Sequence, residues 1–151
     1  VEWWPLLFFI MLFAVAGSLQ HSGVTARVAA DFTAAFGEGS SLLTPVVLIV
    51  SALGSAFVDN IVFVAAFIPV VNEFNANPLW WALLFGACFG GNITMIGSTA
   101  NIVALGMLEK RYRRQFGFFE WLKIGAVVGL VSCILAWIGI LLLAPYMPPR
   151  V

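Results

Sequence analysis

Charge is what this sequence has least of. Of its 151 residues only 9% are Asp, Glu, Lys or Arg, seven acidic and seven basic, so the formal net charge is zero. A soluble domain carries about a quarter charged residues, so a water-facing globule of this length is excluded. Zero net charge also removes the electrostatic basis for a nucleic-acid partner or a surface for acidic substrates. The lone histidine, His21, follows the first apolar run. It reads as a polar residue at a helix end, with proton handling as the alternative. The two cysteines, Cys88 and Cys133, both sit in apolar stretches and read as small hydrophobes rather than as a disulfide or metal pair. A hydrolytic triad, an HExxH motif, a Walker loop and a GxGxxG after a strand are all absent, so no enzyme is read. No basic region precedes the first apolar run and no small-residue cleavage site clearly ends it, which argues against a signal peptide. The first residue is Val1, which suits a processed protein, a fragment or an alternative start codon equally well.

What the sequence has in abundance is apolar surface: 62% of residues are hydrophobic and the mean hydropathy is +1.05. This is the composition of an all-α integral membrane protein. Residues 3–19 form an uncharged apolar run with Trp3 and Trp4 at its start. At 1.5 Å per residue it just covers a ~30 Å hydrocarbon core, with the tryptophans at one interface. In 24–36, Val24, Val28, Phe32 and Phe36 recur at helical spacing, and Arg27 and Asp31 stand four apart. That pattern predicts a short helix lying at the interface, broken at 37–41. Residues 42–71 are largely apolar, with Asp59 and Asn60 near the middle. A central Asp costs about 2.5–3.5 kcal/mol to insert, and the stretch is long for one crossing. A re-entrant helical hairpin with Asp59 and Asn60 at its tip is therefore expected; a single long span over 42–68 with a buried polar pair is the alternative.

A polar turn at 72–78 leads into 78–108, two apolar segments around a polar, glycine-bearing break at 90–99. Neither segment alone is long enough to cross, so one broken span is predicted. An interrupted backbone survives inside a membrane only where protein covers it or a watery cavity hydrates it. The densest basic cluster, 110–114, follows and places that end in the cytoplasm. Residues 121–144 read as the last span, with Gly125 and Gly129 spaced for close helix contact. The whole is one multi-pass domain of a cell (plasma or inner) membrane, with about three crossings and one hairpin, which is few for a stand-alone transporter.

The polar interruptions carry the chemistry. The half-helix opening near Ser98 and Thr99 offers N–H groups and a positive dipole end suited to an anion. The half-helix closing near Phe89 and Gly90 offers carbonyls. With Asp59, Asn92 and Thr94 as candidate sodium ligands, these carbonyls could hold Na⁺. Inside a membrane, desolvation disfavours a carboxylate's charged form, so Asp59 could take a proton as well. Gly90 and Gly91 as mere packing residues, Asn101 as an interhelical hydrogen-bonding residue and Asp59 as a structural partner within its hairpin are the plainer readings.

SAFVDNIVFVAAFIPVV (55–71), WWALLFGACFGGNITMIGSTANIVALGMLEKR (80–111) and FGFFEWLKIG (116–125) together resemble the carboxy-terminal half of an ArsB/NhaD-type permease. That family of arsenite pumps and sodium–proton antiporters belongs to the ion transporter superfamily. The resemblance implies two inverted repeats, each with one hairpin and one broken helix, moving elevator-fashion and commonly dimeric. It implies Asp59 and Asn60 as hairpin-tip site residues, and Gly91, Asn92, Thr94, Gly97, Ser98 and Asn101 as the broken-helix site. Citrate and dicarboxylate symporters of the superfamily carry a Ser-Asn-Thr triplet at the tip. Val58-Asp59-Asn60 stands here instead and favours cation or arsenite handling. Sodium–proton antiport is therefore expected, with an arsenite or other anion (di/tricarboxylate) permease and a non-transporting scaffold subunit as alternatives. The expected partners are the lipid bilayer, a small inorganic ion or anion and a missing amino-terminal repeat; beyond a possible sodium ion, no cofactor is expected.

Overall fold

The computed structural model describes residues 3–37, 42–74, 76–113 and 115–147. Most of the expected break at 37–41, Asn75 of the polar turn, Arg114 of the basic cluster and the closing residues 148–150 lie outside the described residues. The chain is helical throughout the described part: α1 (Trp3–His21), α2 (Val24–Phe36), α3 (Leu43–Ser55), α4 (Asn60–Glu73), α5 (Asn77–Gly90), α6 (Thr99–Tyr112) and α7 (Phe118–Leu143), followed by a single 3₁₀ turn (Ala144–Tyr146).

Gly23 makes the corner between α1 and α2. Its φ of 76° is left-handed, a conformation that costs glycine nothing, and the two helices diverge by 63° there. Helices α3 and α4 have 13 and 14 residues, about 20 Å each and so well short of a hydrocarbon core of about 30 Å. Helices α5 and α6, with 14 residues each, are equally short. Pro78 opens α5, where its missing N–H leaves no bond unmade. The 26 residues of α7 reach about 39 Å. Among the described residues it is the one helix long and apolar enough to cross a membrane by itself.

The tightest pairing is α3 on α5. Val47, Leu48, Ser51, Ala52 and Ser55 of α3 are buried against Leu83, Gly86, Ala87 and Gly90 of α5. A Cβ at Gly90 would collide with the backbone of Ala52, so the two helix axes come together only because that position is glycine. Helix α5 also packs on α4 and α7, and α1 and α2 pack on α4. Outside this core the apolar surface faces outward. Ile124, Val127, Leu130 and Leu135 of α7 are each more than 60% exposed, and only 17% of the helix's most apolar window is buried. A core helix of a soluble protein would be mostly covered, so this surface calls for lipid or further protein. Every residue of α6 is exposed or half-buried.

Candidate functional site

The two interruptions meet. At the end of α5 the amide of Gly91 still reaches the Ala87 carbonyl at 3.0 Å. The next two amides tighten into three-residue turns, Asn92 to Phe89 at 3.2 Å and Ile93 to Gly90 at 2.9 Å. The α-helical ladder ends there. Helix α6 restarts at Ser98, whose extended backbone and Oγ, accepting from the Ala100 amide at 3.3 Å, form an N-cap.

Asp59 ties the hairpin tip to this restart. Its Oδ1 accepts from the Ile61 amide at 3.1 Å and caps α4. Its Oδ2 accepts from the Thr99 hydroxyl at 2.8 Å and the Thr99 amide at 3.3 Å. One half-buried carboxylate therefore sits at the N-termini of two helices, both of which favour negative charge. The α6 end that the sequence assigns to an incoming anion already holds the protein's own.

Behind this contact the break is closed from inside. Thr94, 2% exposed, donates its hydroxyl to the Ala56 carbonyl. Asn101 Nδ2 donates to the Gly91 carbonyl at 2.9 Å and the Thr94 carbonyl at 3.3 Å, so α6 braces the turn it follows. A Cβ at Gly97 would lie 2.8 Å from the Gly91 oxygen and 2.9 Å from those of Ser55 and Ala56. Three carbonyls from both interruptions thus crowd one glycine, and no side chain fits. They and the Asp59 carboxylate are hard oxygens of the kind Na⁺ takes, but the Gly91 and Ala56 oxygens already accept from Asn101 and Thr94. Among the described residues no group of His, Cys, Asp and Glu could hold a metal ion.

The remaining expected residues go elsewhere. Asn60 accepts from the Ile61 amide at 3.0 Å and lines a cavity of about 230 Å³ between α1, α4 and α5, with Phe13, Ile68 and Leu84. The Asn92 side chain is exposed and its Nδ2 reaches back to the Cys88 carbonyl at 3.5 Å. The three candidate sodium ligands, Asp59, Asn92 and Thr94, therefore share no partner and are held in different places. Two contacts fall outside the expected set. Thr99 is the partner of Asp59, and its position directly after the cap is its only sequence signal. Trp121 Nε1 donates to the Asn92 carbonyl at 3.2 Å, and nothing in the sequence around it, which reads as the start of the last span, points to that contact.

Residues 1–86, just over half of the chain, match the family model described as citrate transporter. The chain belongs to the citrate transporter family. Relatives extend the match through the break: an "Uncharacterized transporter" of Mycobacterium tuberculosis is 38% identical over 144 residues, covering 90% of this chain. A "46 kDa membrane protein" of Mycobacterium leprae is 40% identical over 147 residues, 91% of the chain, and the "P protein" of Homo sapiens is 39% identical over 146 residues, 88% of the chain. This citrate-transporter-family chain spans 33% and 34% of the two mycobacterial relatives' length and 17% of the human one's. No solved structure matches it. Family and relatives make it a membrane protein.

Proposed function

We propose that the chain forms one wall of the site of a secondary active ion transporter of the arsenite-pump and sodium–proton-antiporter type, exchanging Na⁺ for H⁺. Asp59 is the group that takes either cation. The observation that carries this reading is the Asp59 carboxylate seated on Thr99. A cation adds to that carboxylate, whereas an anion has to displace it from the α6 N-terminus. The backbone oxygens around Gly97 are the neutral ligands that sodium coordination would need beside one charge; the Gly91 and Ala56 oxygens now hold Asn101 and Thr94, so a bound ion takes them over from those donors. Asn92 and Thr94 remain candidate ligands through small rearrangements of the break, and the other site walls come from the rest of the transporter. Asp59→Asn keeps the size and the capping ability of the side chain but loses its charge. In vesicles carrying the whole transporter it should abolish sodium-driven pH changes; exchange at the wild-type rate would end the role assigned to Asp59.

The family description favours a second reading, a di- or tricarboxylate permease in which substrate carboxylates take the place of Asp59. Citrate uptake into the same vesicles tests it. Arsenite export belongs to the same architecture. Rescue of an antiporter-deficient strain under salt, against rescue of an arsenite-sensitive one, separates the ion readings, and a scaffold subunit would rescue neither.

A further inference from the structure

Helix α7 lies directly on the first turn of the break. Gly125 and Gly129 are both buried. A Cβ at Gly125 would collide with the Asn92 and Ile93 carbonyls, and one at Gly129 would press on the Ile93 side chain at 2.7 Å and the Phe89 carbonyl at 3.2 Å. One turn before Gly125, Trp121 points its indole N–H at the Asn92 carbonyl, 3.2 Å away. The opened turn has therefore recruited two side-chain donors. Asn101 serves the Gly91 and Thr94 carbonyls and Trp121 serves the Asn92 carbonyl between them.

We propose that Trp121 is a positioning residue for the ion site: it fixes the peptide joining Asn92 and Ile93 and, through it, the direction of the backbone at Gly91 and Thr94. A peptide unit is planar, so holding the Asn92 oxygen also orients the Ile93 amide, which bonds Gly90 at 2.9 Å. Thr94 comes next and is anchored on Ala56. With the indole bond in place, the Asn92 carbonyl is held toward α7, and the peptide beside it cannot swing the Gly91 and Thr94 carbonyls off the Asn101 amide. Trp121 touches neither the carboxylate nor those oxygens, so it acts on ion affinity through the backbone alone. The proposal rests on the ion-binding reading of the break.

The test is Trp121→Phe against Trp121→His in the whole transporter, with sodium titrated against the pH change in vesicles. Phe keeps the ring and loses the donor; His places an N–H at the same distance along the side chain. Trp121→Phe should raise the sodium concentration for half-maximal exchange about fivefold, the worth of one neutral hydrogen bond, with little change in maximal rate. Trp121→His should return it to within about twofold of the wild type on the same scale. An unchanged half-maximal concentration in Trp121→Phe overturns the proposal, as does a Trp121→His protein impaired as much as the Phe variant. The bond is also read without any variant, from hydrogen exchange of the Trp121 indole proton in the wild-type protein. Slow exchange upholds the bond on which the proposal rests, and exchange as fast as a free indole overturns it. A wild type giving no sodium-driven pH change, yet with this proton protected, sinks the sodium reading and leaves the positioning contact standing.

Discussion

One carboxylate shared by two helix ends changes what each end can do. Asp59 supplies α4 with its cap and α6 with its counter-charge through Thr99. Thr99→Val removes the 2.8 Å hydroxyl bond while keeping the shape. A hydrogen bond to a charged group is worth about 1.5–3 kcal/mol, and only the part that positions Asp59 for the ion reaches the affinity, so sodium affinity should fall by up to about tenfold, read from the same vesicle titration. An unchanged titration would show that the amide alone holds Asp59. Asn101 has a different job: it covers two part-buried carbonyls. Asn101→Leu leaves both without that donor and should destabilise the protein by about 1–3 kcal/mol. Denaturant unfolding in detergent measures it, and a loss below about 0.5 kcal/mol would mean that water replaces the amide.

Among the elements, α5 carries the most packing and the break inherits its position from it. Its small residues let α3 approach on one side, and the break it leads into is pressed by the α7 glycines on the other. Gly125 and Gly129 read from sequence as a helix-contact pair; Gly129 does meet the end of α5 at Phe89, and both also press on the irregular turn at Asn92 and Ile93. Overpacking a fitted contact costs about 1–3 kcal/mol, and here the strain falls on the break. Gly125→Leu should therefore abolish transport while the protein still inserts and its far-ultraviolet helix signal persists. Retained transport in Gly125→Leu would show that α7 can move off the break at no functional cost.

At the scale of the whole molecule, the chain spans about a third of its mycobacterial relatives' length, and in the proposed transporter the apolar exterior of α7 and the exposed α6 go to lipid and to further transporter segments. The orientation expected from Lys110, Arg111 and Arg113 puts their loop in the cytoplasm, since short basic loops stay inside. With Cys88 and Cys133 replaced, Gln115→Cys on the exposed loop after α6 should react with an impermeant maleimide in inverted vesicles and not in right-side-out cells. Labelling from the outside would reverse the assigned topology.

Hydropathy, helix spacing and glycine placement are local properties, and they determined the helices, the apolar class and the two polar interruptions. Asp59 stands out because an acid amid apolar residues is costly, and the break because its two flanking segments are short. The partners were decided by tertiary structure. Asp59 and Thr99 lie 40 residues apart, Ala56 and Thr94 38, and Asn92 and Trp121 29. A carbonyl freed by an opened turn takes whichever donor the packing of α3, α5 and α7 delivers to it. A local pattern shows that such a carbonyl exists; only the packed molecule determines whether Asn101 or Trp121 reaches it, and that the α6 end is filled by the protein's own carboxylate.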